Sequence, residues 1–145
     1  MPTVSRTFTV GAPSEQVLEF LRDFTNAEQW DPGTETCTRL DSGPVRVGSR
    51  WHNVSKVLGR TTELEYRLKE ANGPLLVFEG HNDAATSIDT IVVTPAEAGS
   101  RISYKAQLKM HGLAVLMAPA MKLLFEKIAG DTETRMTTVL NSLTA

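Results

Sequence analysis

The sequence has little cysteine and no long apolar run. Cys37 is its single cysteine, so an intrachain disulfide and a cysteine-based zinc site are both excluded. The N-terminal residues lack the apolar stretch of a signal peptide. The longest apolar run, residues 113–121, is far shorter than the roughly 18 residues that span a bilayer as a helix. We therefore expect a cytoplasmic protein that does not insert stably into membranes.

Charge of one sign is also lacking. The 15 lysines and arginines nearly balance the 17 aspartates and glutamates, which leaves a formal charge of −2. A protein that follows the phosphates of a nucleic acid usually carries a basic stripe, so we expect no nucleic-acid partner. The sequence has no repeat, charge block or low-complexity tract, and a chain of this length can bury roughly two-thirds of its unfolded surface. Residues 1–145 are therefore predicted to form a single domain.

The first residues predict one strand followed by two short helices. Residues 3–10 alternate in the manner of a strand. Ser14 is predicted to be the N-cap of the first helix, and a second helical turn over Ala27–Trp30 would end at Asp-Pro-Gly, residues 31–33. The apolar stripe of the first helix consists of Val17, Leu18, Phe20 and Leu21.

The middle of the chain predicts six further strands. We place them near residues 35–41, 49–58, 61–70, 75–80, 86–94 and 100–110. The segments between them are rich in glycine, proline, asparagine and aspartate, which favour tight turns. Strands joined by such short turns pair in antiparallel order. Apolar and polar residues alternate in the last strand, so the sheet is predicted to have one dry and one wet face.

The chain ends in a predicted long helix. Pro119 suits the first turn of a helix, and a helix from there to Leu143 would be about 37 Å long, which matches a long strand. The element order β-α-α-β6-α predicts an α+β fold in which this helix crosses the dry face of a curved seven-stranded antiparallel sheet. The apolar stripe consists of Met121, Leu124, Phe125, Ile128, Thr132, Met136, Val139 and Leu143.

Aromatic residues are scarce, and this scarcity predicts a cavity. The chain has two tryptophans, two tyrosines and five phenylalanines. One helix about 10 Å in diameter cannot fill the whole concave side of a strongly twisted sheet. An apolar pocket with a few polar atoms is the usual form of a small-molecule site. The alternative is an ordinary core whose buried polar groups are satisfied by hydrogen bonds.

Turn registers predict which side chains face that space, because directly opposed residues of an antiparallel pair share a face. At residues 72–73 a strict two-residue turn would put Val77 and Glu79 inside. A slip by one residue, which hydrophobicity favours, would put Leu76 and Phe78 inside instead. A two-residue loop at 59–60 would pair Leu58 with Thr61, Ser55 with Leu64, Asn53 with Tyr66, and Trp51 with Leu68.

The hairpin around residues 95–99 leaves two registers open. In the first, Ile91 and Val93 face inward and bring Asp89 inside with them. In the second, Ile88 and Val92 face inward. A carboxylate held in an apolar cavity has a raised pKa and is able to act as a general acid or base.

The order of these elements and several local motifs resemble the START-like (SRPBCC) superfamily, in particular its bacterial polyketide cyclase/dehydrase branch. The similar segments extend over essentially the whole chain. They are Ala-Pro-Ser-Glu-Gln-Val at 12–17, Ala-Glu-Gln-Trp-Asp-Pro at 27–32, Gly-Pro-Val-Arg-Val-Gly-Ser-Arg-Trp at 43–51, and Val-Thr-Pro at 93–95 followed by Gly-Ser-Arg-Ile-Ser-Tyr at 99–104.

This resemblance implies a helix-grip fold with a deep hydrophobic cavity between the sheet and the last helix. Members of the superfamily bind or transform lipids, sterols, polyketides and other bulky apolar molecules, which implies a hydrophobic small-molecule partner. It also implies a cavity mouth near residues 81–85 and 111–118. The superfamily has no universal catalytic motif, so the resemblance assigns no catalytic residue. We expect no cofactor and no metal ion.

The predicted cavity lining combines apolar walls with a few polar groups. Asp89 and Glu79 are the candidate acids or bases, and the alternative is that both point to solvent, as most carboxylates on strands do. His81 and His111 fall in the two mouth segments without metal-ligand spacing, and His52 is predicted to face outward. The predicted lining residues are Trp51, Asn53, Tyr66, Phe78, Asp89, Ile91, Tyr104, Met121 and Phe125.

Two classes of function follow from such a cavity. A protein that binds a hydrophobic small molecule needs only the pocket, and this is our main hypothesis. A polyketide cyclase, dehydratase or aromatase also needs a pocket carboxylate that acts as acid or base, with Tyr66, Tyr104 or Asn53 as a hydrogen-bonding partner and oxyanion donor. The apolar residues 113–117 predict a lid, a membrane contact or a dimer contact, so a homodimer is a further possibility.

Overall fold

The structure, a computed structural model, describes residues 2–57 and 59–144, with the backbone alone for Val57, Leu113, Met117 and Ala118. Two 3₁₀ segments, Phe24–Asn26 and Gly112–Met117, precede the second and third α-helices. The elements are β1 (Thr3–Val10), α1 (Ser14–Arg22), α2 (Ala27–Trp30), β2 (Thr34–Arg39), β3 (Arg50–Val57), β4 (Arg60–Asn72), β5 (Leu75–His81), β6 (Ala85–Ala96), β7 (Gly99–Met110) and α3 (Ala118–Ser142).

The seven strands form one open antiparallel sheet in the order β1-β7-β6-β5-β4-β3-β2. This confirms the predicted strand number and pairing. We call the end of the sheet at which β3, β5 and β7 finish and β2, β4 and β6 begin the apical end. Because α3 follows β7, it starts at the apical end and runs back across the concave face of the sheet.

Helix α3 packs unevenly along its 25 residues. Its second half is anchored by a buried line that includes Ala129, Thr132, Met136 and Leu140. It packs mainly on β1 and α2, so it covers one side of the concave face more closely than the other. Over residues 2–57 and 59–144, no helix reaches the length and hydropathy of a membrane-spanning segment.

The start of α1 differs from the sequence expectation. Pro13 occupies the N-cap position, and no side chain caps the helix. The Ser14 hydroxyl instead lies 3.0 Å from the hydroxyl of Ser100, which donates a 2.7 Å hydrogen bond to the carbonyl of Ala12. The prediction of Ser14 as the N-cap was wrong because this side chain is used to join α1 to β7.

The β3–β4 hairpin turns one residue earlier than predicted. Val57 pairs with Arg60, and Trp51 therefore lies opposite Tyr66 rather than Leu68. Gly59 takes a φ of +77°, which favours glycine at this loop position. The shift moves every partner by two residues and leaves the inward face unchanged. The predicted pair of Leu58 with Thr61 lies outside the described residues.

The β4–β5 hairpin confirms the register that hydrophobicity favoured, and the β6–β7 hairpin takes the first of the two registers left open. Asn72 pairs with Leu75, and Leu76 and Phe78 are buried, 1% and 0% exposed. In the β6–β7 hairpin Ile91 pairs with Tyr104, which is the register that carries Asp89 to the inner face.

Candidate functional site

Most of the predicted lining residues lie on the buried inner face of the sheet. The two on α3, Met121 and Phe125, are partly buried. Glu79, in contrast, lies outside, where it pairs in register with Arg67 of β4. The buried residues on the strands are Trp51, Asn53, Tyr66, Phe78, Asp89, Ile91 and Tyr104.

An aromatic cluster fills part of the concave side. Phe24, from the 3₁₀ segment before α2, is at its centre. Its ring centroid lies 4.4 Å from that of Tyr66 and 4.6 Å from that of Phe78, with Trp30 at 5.8 Å and Trp51 at 6.1 Å. We did not predict Phe24 or Trp30 as part of this region. The interval from Leu21 to Phe24 continues the helical stripe of α1, so the sequence did contain a signal for Phe24.

Toward the apical end, the walls of the concave side are only partly buried. On the sheet these residues are Leu64 and Leu108, and on α3 they are Met121 and Phe125. Side chains that packed tightly against one another would be buried, since protein interiors are close-packed. These side chains therefore keep apolar surface that other side chains do not cover, and we call the region between the sheet and the first half of α3 the candidate cavity.

Beside the candidate cavity, helix α3 forms an ion pair with β1 on one side and borders a cleft on the other. On the β1 side, Arg6 Nη2 lies 3.1 Å from Glu126 Oε2. On the β2 side, a cleft of about 240 Å³ separates Leu124 and Ile128 from Pro32 and Lys56. This cleft therefore borders the first half of α3 on the side away from β1.

Asp89 is the buried acid of the inner face. It is 6% exposed, and the Tyr104 hydroxyl donates a 3.3 Å hydrogen bond to its Oδ1. Loss of solvation on burial, assisted by the negative charge of Asp31, raises the pKa of Asp89 from 3.8 to about 7. Burial, with a smaller effect of Asp89, also raises the pKa of Tyr104 well above 10.0. Asp89 is therefore able to exchange a proton near neutral pH, while Tyr104 remains a hydrogen-bond donor.

A second carboxylate, Asp31, begins a chain of polar side chains. Thr34 donates a 2.6 Å hydrogen bond to Asp31 Oδ2, Asn53 Nδ2 donates to Thr34 at 3.0 Å, and Ser55 donates to Asn53 Oδ1 at 2.6 Å. Burial raises the pKa of Asp31, against the hydrogen bond from Thr34. Asn53 thus holds this chain of hydrogen bonds together. One of the two N–H groups of its side-chain amide, which we considered as an oxyanion donor, is used in the bond to Thr34.

The Tyr66 ring lies directly on Gly80. A Cβ atom built on Gly80 would lie 2.5 Å from Tyr66 Cζ, so a side chain at this position would displace the ring. Burial, followed by the charge of Asp89, raises the pKa of Tyr66 well above 10.0, and the neighbouring Ser87 hydroxyl opposes this shift. Glycine on β5 therefore sets the position of the Tyr66 hydroxyl at the inner face.

Cys37 is unsuited to nucleophilic chemistry. Its side chain is buried, and burial raises its pKa to about 12. The thiolate, not the thiol, is the nucleophile and metal ligand. Cys37 therefore stays protonated at neutral pH.

The histidines divide into an outward residue and an apical pair. His52 Nε2 lies 2.9 Å from Glu63 on the outer face, as predicted. His81 Nδ1 and His111 Nε2 lie 3.1 and 2.8 Å from one hydroxyl, that of Thr86. The pair joins the β5–β6 turn to the end of β7. No group of three potential metal ligands occurs in the part of the chain that the structure describes.

One family profile matches almost the whole chain. The sequence profile described as "Polyketide cyclase / dehydrase and lipid transport" matches residues 1–140. No curated protein matches the sequence.

Solved structures share the fold at low sequence identity. A Thermus thermophilus protein has a TM-score of 0.81 at 14% identity, over 99% of this chain and 100% of that one. A START superfamily protein from Mycobacterium smegmatis has a TM-score of 0.73 at 16% identity, over 97% and 94%. The Zhui aromatase/cyclase of a Streptomyces species has a TM-score of 0.73 at 14% identity, over 97% and 91%. These likenesses confirm the START-like fold.

Proposed function

Since the chain belongs to the polyketide cyclase/dehydrase and lipid transport family, we propose that it binds a bulky, mainly apolar small molecule in the candidate cavity. The observation that carries this proposal is the partial exposure of apolar side chains on both facing walls, Leu64 and Leu108 on the sheet and Met121 and Phe125 on α3. An apolar ligand between these walls would remove their remaining exposed surface from water, which is favourable.

The polar groups at the inner face suggest what the ligand carries. Tyr66, Asp89 and Tyr104 retain 6%, 6% and 7% exposure, so each is nearly but not completely covered by protein. Sites for small molecules usually combine apolar walls with a few such polar atoms, which orient the ligand. A carbonyl or hydroxyl group on an otherwise apolar skeleton would satisfy these groups.

The binding proposal is tested with dansyl-labelled undecanoic acid as a fluorescent probe. We expect the probe to bind the wild-type protein, and Phe125→Glu to weaken its affinity at least about tenfold, because a carboxylate would enter an apolar wall. Leu40→Glu, on an exposed residue at the opposite end of the sheet, is the matched control. The proposal would be refuted if the probe did not bind the wild-type protein, or if it bound both variants with equal affinity. Native mass spectrometry of protein from its own host then identifies the natural ligand.

A second candidate function is an acid–base reaction on the bound molecule, favoured by the hydrogen-bonded pair of Asp89 and Tyr104. The Asp89 carboxylate would take a proton from an activated methylene group, and the C–H electron pair would move to the neighbouring carbonyl to give an enolate. The hydroxyl of Tyr66 or Tyr104 would donate to the enolate oxygen. A general base is most effective when its pKa lies near the working pH, and the pKa of Asp89 at about 7 meets this condition.

Deuterium exchange into an aromatic β-keto thioester tests this candidate without knowledge of the natural substrate. We expect the protein-catalysed exchange to increase as Asp89 ionises around pH 7, and Asp89→Asn to slow it at least about a hundredfold. Glu79→Gln, on the outer face of the adjacent strand, should leave the rate unchanged. If Asp89→Asn matches the wild-type rate, the acid–base role is wrong while the binding proposal stands.

A further inference from the structure

Exposed apolar side chains cluster in sequence around the start of α3. Val115 and Leu116, in the 3₁₀ segment Gly112–Met117, are 52% and 79% exposed, and Leu123 in α3 is 79% exposed. Two further exposed large apolar residues, Leu40 and Val47, lie in the loop between β2 and β3. That loop lies at the other end of the sheet, so the two groups are separated. We call Val115, Leu116 and Leu123 the apical apolar patch.

Basic side chains surround this end of the molecule. Four exposed residues that lie there form no ion pair with any residue in the described ranges: Lys56, Arg60, Lys109 and Lys122. The acidic residues nearby are largely occupied, since Glu126 contacts Arg6 and Asp131 contacts Lys127. Glu35 and Asp83 remain as exposed acids at this end, and Glu63, which contacts His52, is exposed there as well. The exposed lysines and arginines that form no ion pair in the described ranges still outnumber these acids, in a chain whose formal charge is −2.

From this combination we propose that the apical end docks on an anionic lipid surface. Leu116 and Leu123 enter the boundary between headgroups and acyl chains, and the basic side chains contact lipid phosphates. A lipid surface supplies both an apolar layer and negative charge, which together match what the apical end presents. This role goes beyond ligand binding, because it concerns where the protein works.

A second copy of this chain fits the same surface less well. In a two-fold dimer the same patch would face itself, so Lys109 and Lys122 of one copy would approach the like charges of the other. Such like-charge contacts are unfavourable across an interface. An anionic bilayer brings the opposite charge instead.

The docked orientation would also place the candidate cavity next to the bilayer. The candidate cavity lies between the sheet and the first half of α3, and the apical apolar patch lies around the beginning of the same helix. An apolar ligand could then pass between membrane and protein with little exposure to water. This step rests on the proposed function, whereas the docking itself does not.

Co-sedimentation with vesicles tests the docking. We expect the protein to bind phosphatidylcholine vesicles that contain phosphatidylglycerol, and to bind vesicles of phosphatidylcholine alone at least about tenfold more weakly. Added salt should weaken binding to the anionic vesicles, because it screens exposed charges. The double variant Leu116→Glu/Leu123→Glu and the double variant Lys109→Glu/Lys122→Glu should each lose at least about tenfold in affinity.

The control is Leu40→Glu/Val47→Glu, which changes the same residue types at the opposite end and should bind as the wild type does. Equal binding to both vesicle types, or no binding to either, would overturn the proposal. Concentration-dependent self-association that the Leu116→Glu/Leu123→Glu change removes would identify a second copy as the occupant, and would overturn it as well. Binding of the dansyl probe to the same variants separates this outcome from a failure of the cavity.

Discussion

Asp89→Asn is expected to change the pH dependence of stability by about 4 kcal/mol between about pH 4 and pH 8, since each unit of pKa shift corresponds to about 1.4 kcal/mol. The pKa of Asp89 increases from 3.8 in the unfolded chain to about 7 in the folded protein. The cause is loss of solvation of the carboxylate on the inner face, where Tyr104 provides one hydrogen bond. Asparagine has a similar shape and does not ionise.

The sign of the effect follows from which state loses its proton first. Below the unfolded pKa of 3.8, Asp89 is neutral in both states and has no effect on pH dependence. Above it the unfolded chain ionises while the folded protein stays protonated, so stability falls until the pH reaches the folded pKa of about 7. The Asp89→Asn variant does not lose stability in this way as the pH rises.

Urea unfolding of both proteins across this pH range measures the difference directly. Carboxylates that do not interact with Asp89 contribute equally to the wild type and the variant, so subtraction isolates Asp89 together with its interaction with Asp31. Glu79→Gln should follow the wild-type curve, since Glu79 lies on the outer face. Parallel curves for wild type and Asp89→Asn would show that Asp89 is solvated, and the acid–base candidate would lose its basis.

Phe24→Ala is expected to lower the free energy of unfolding by about 3–5 kcal/mol, the usual cost of deleting a buried phenylalanine ring. Phe24 is 1% exposed, and its ring contacts Trp30, Trp51, Tyr66 and Phe78. Its removal takes away the centre of the aromatic cluster and leaves a cavity that the strands cannot collapse to fill.

Chemical denaturation of Phe24→Ala and of Phe20→Ala checks this prediction. Phe20 is only partly buried against the core, so its substitution should cost clearly less. Similar losses for the two variants would show that Phe24 is not the centre of the cluster. A stable Phe24→Ala variant should also bind a larger probe than the wild type does, because the new space adjoins Tyr66.

The sequence predicted the strands well because their patterns are local. The alternation in β7 and the apolar residues of β6 admitted few registers, and the correct one brought Asp89 to the inner face. The preference for Leu76 and Phe78 over Val77 and Glu79 followed from hydrophobicity alone. In each case one face of the sheet is dry, which makes a register error costly.

Contacts between distant segments could not be predicted in the same way. The spacing from Leu21 to Phe24 marks Phe24 as part of the apolar stripe of α1, but its place at the centre of the aromatic cluster depends on how α1 and α2 fold over the sheet. The chain from Asp31 to Asn53 joins a turn to β3, and Thr86 brings His81 and His111 together across two loops. The β3–β4 register was missed because a glycine fits either position of a two-residue turn.

The central claim is that an apolar molecule enters between the sheet and the first half of α3, and methyl NMR of the methionines tests it most directly. Met121 and Met110 lie at the apical end and are partly exposed, whereas Met136, in the second half of α3, is 0% exposed. On titration with a tricyclic aromatic ketone, we expect the methyl resonances of Met121 and Met110 to shift and to show contacts to the ketone, while that of Met136 changes little. Unchanged resonances at Met110 and Met121 under saturating ketone would contradict the account.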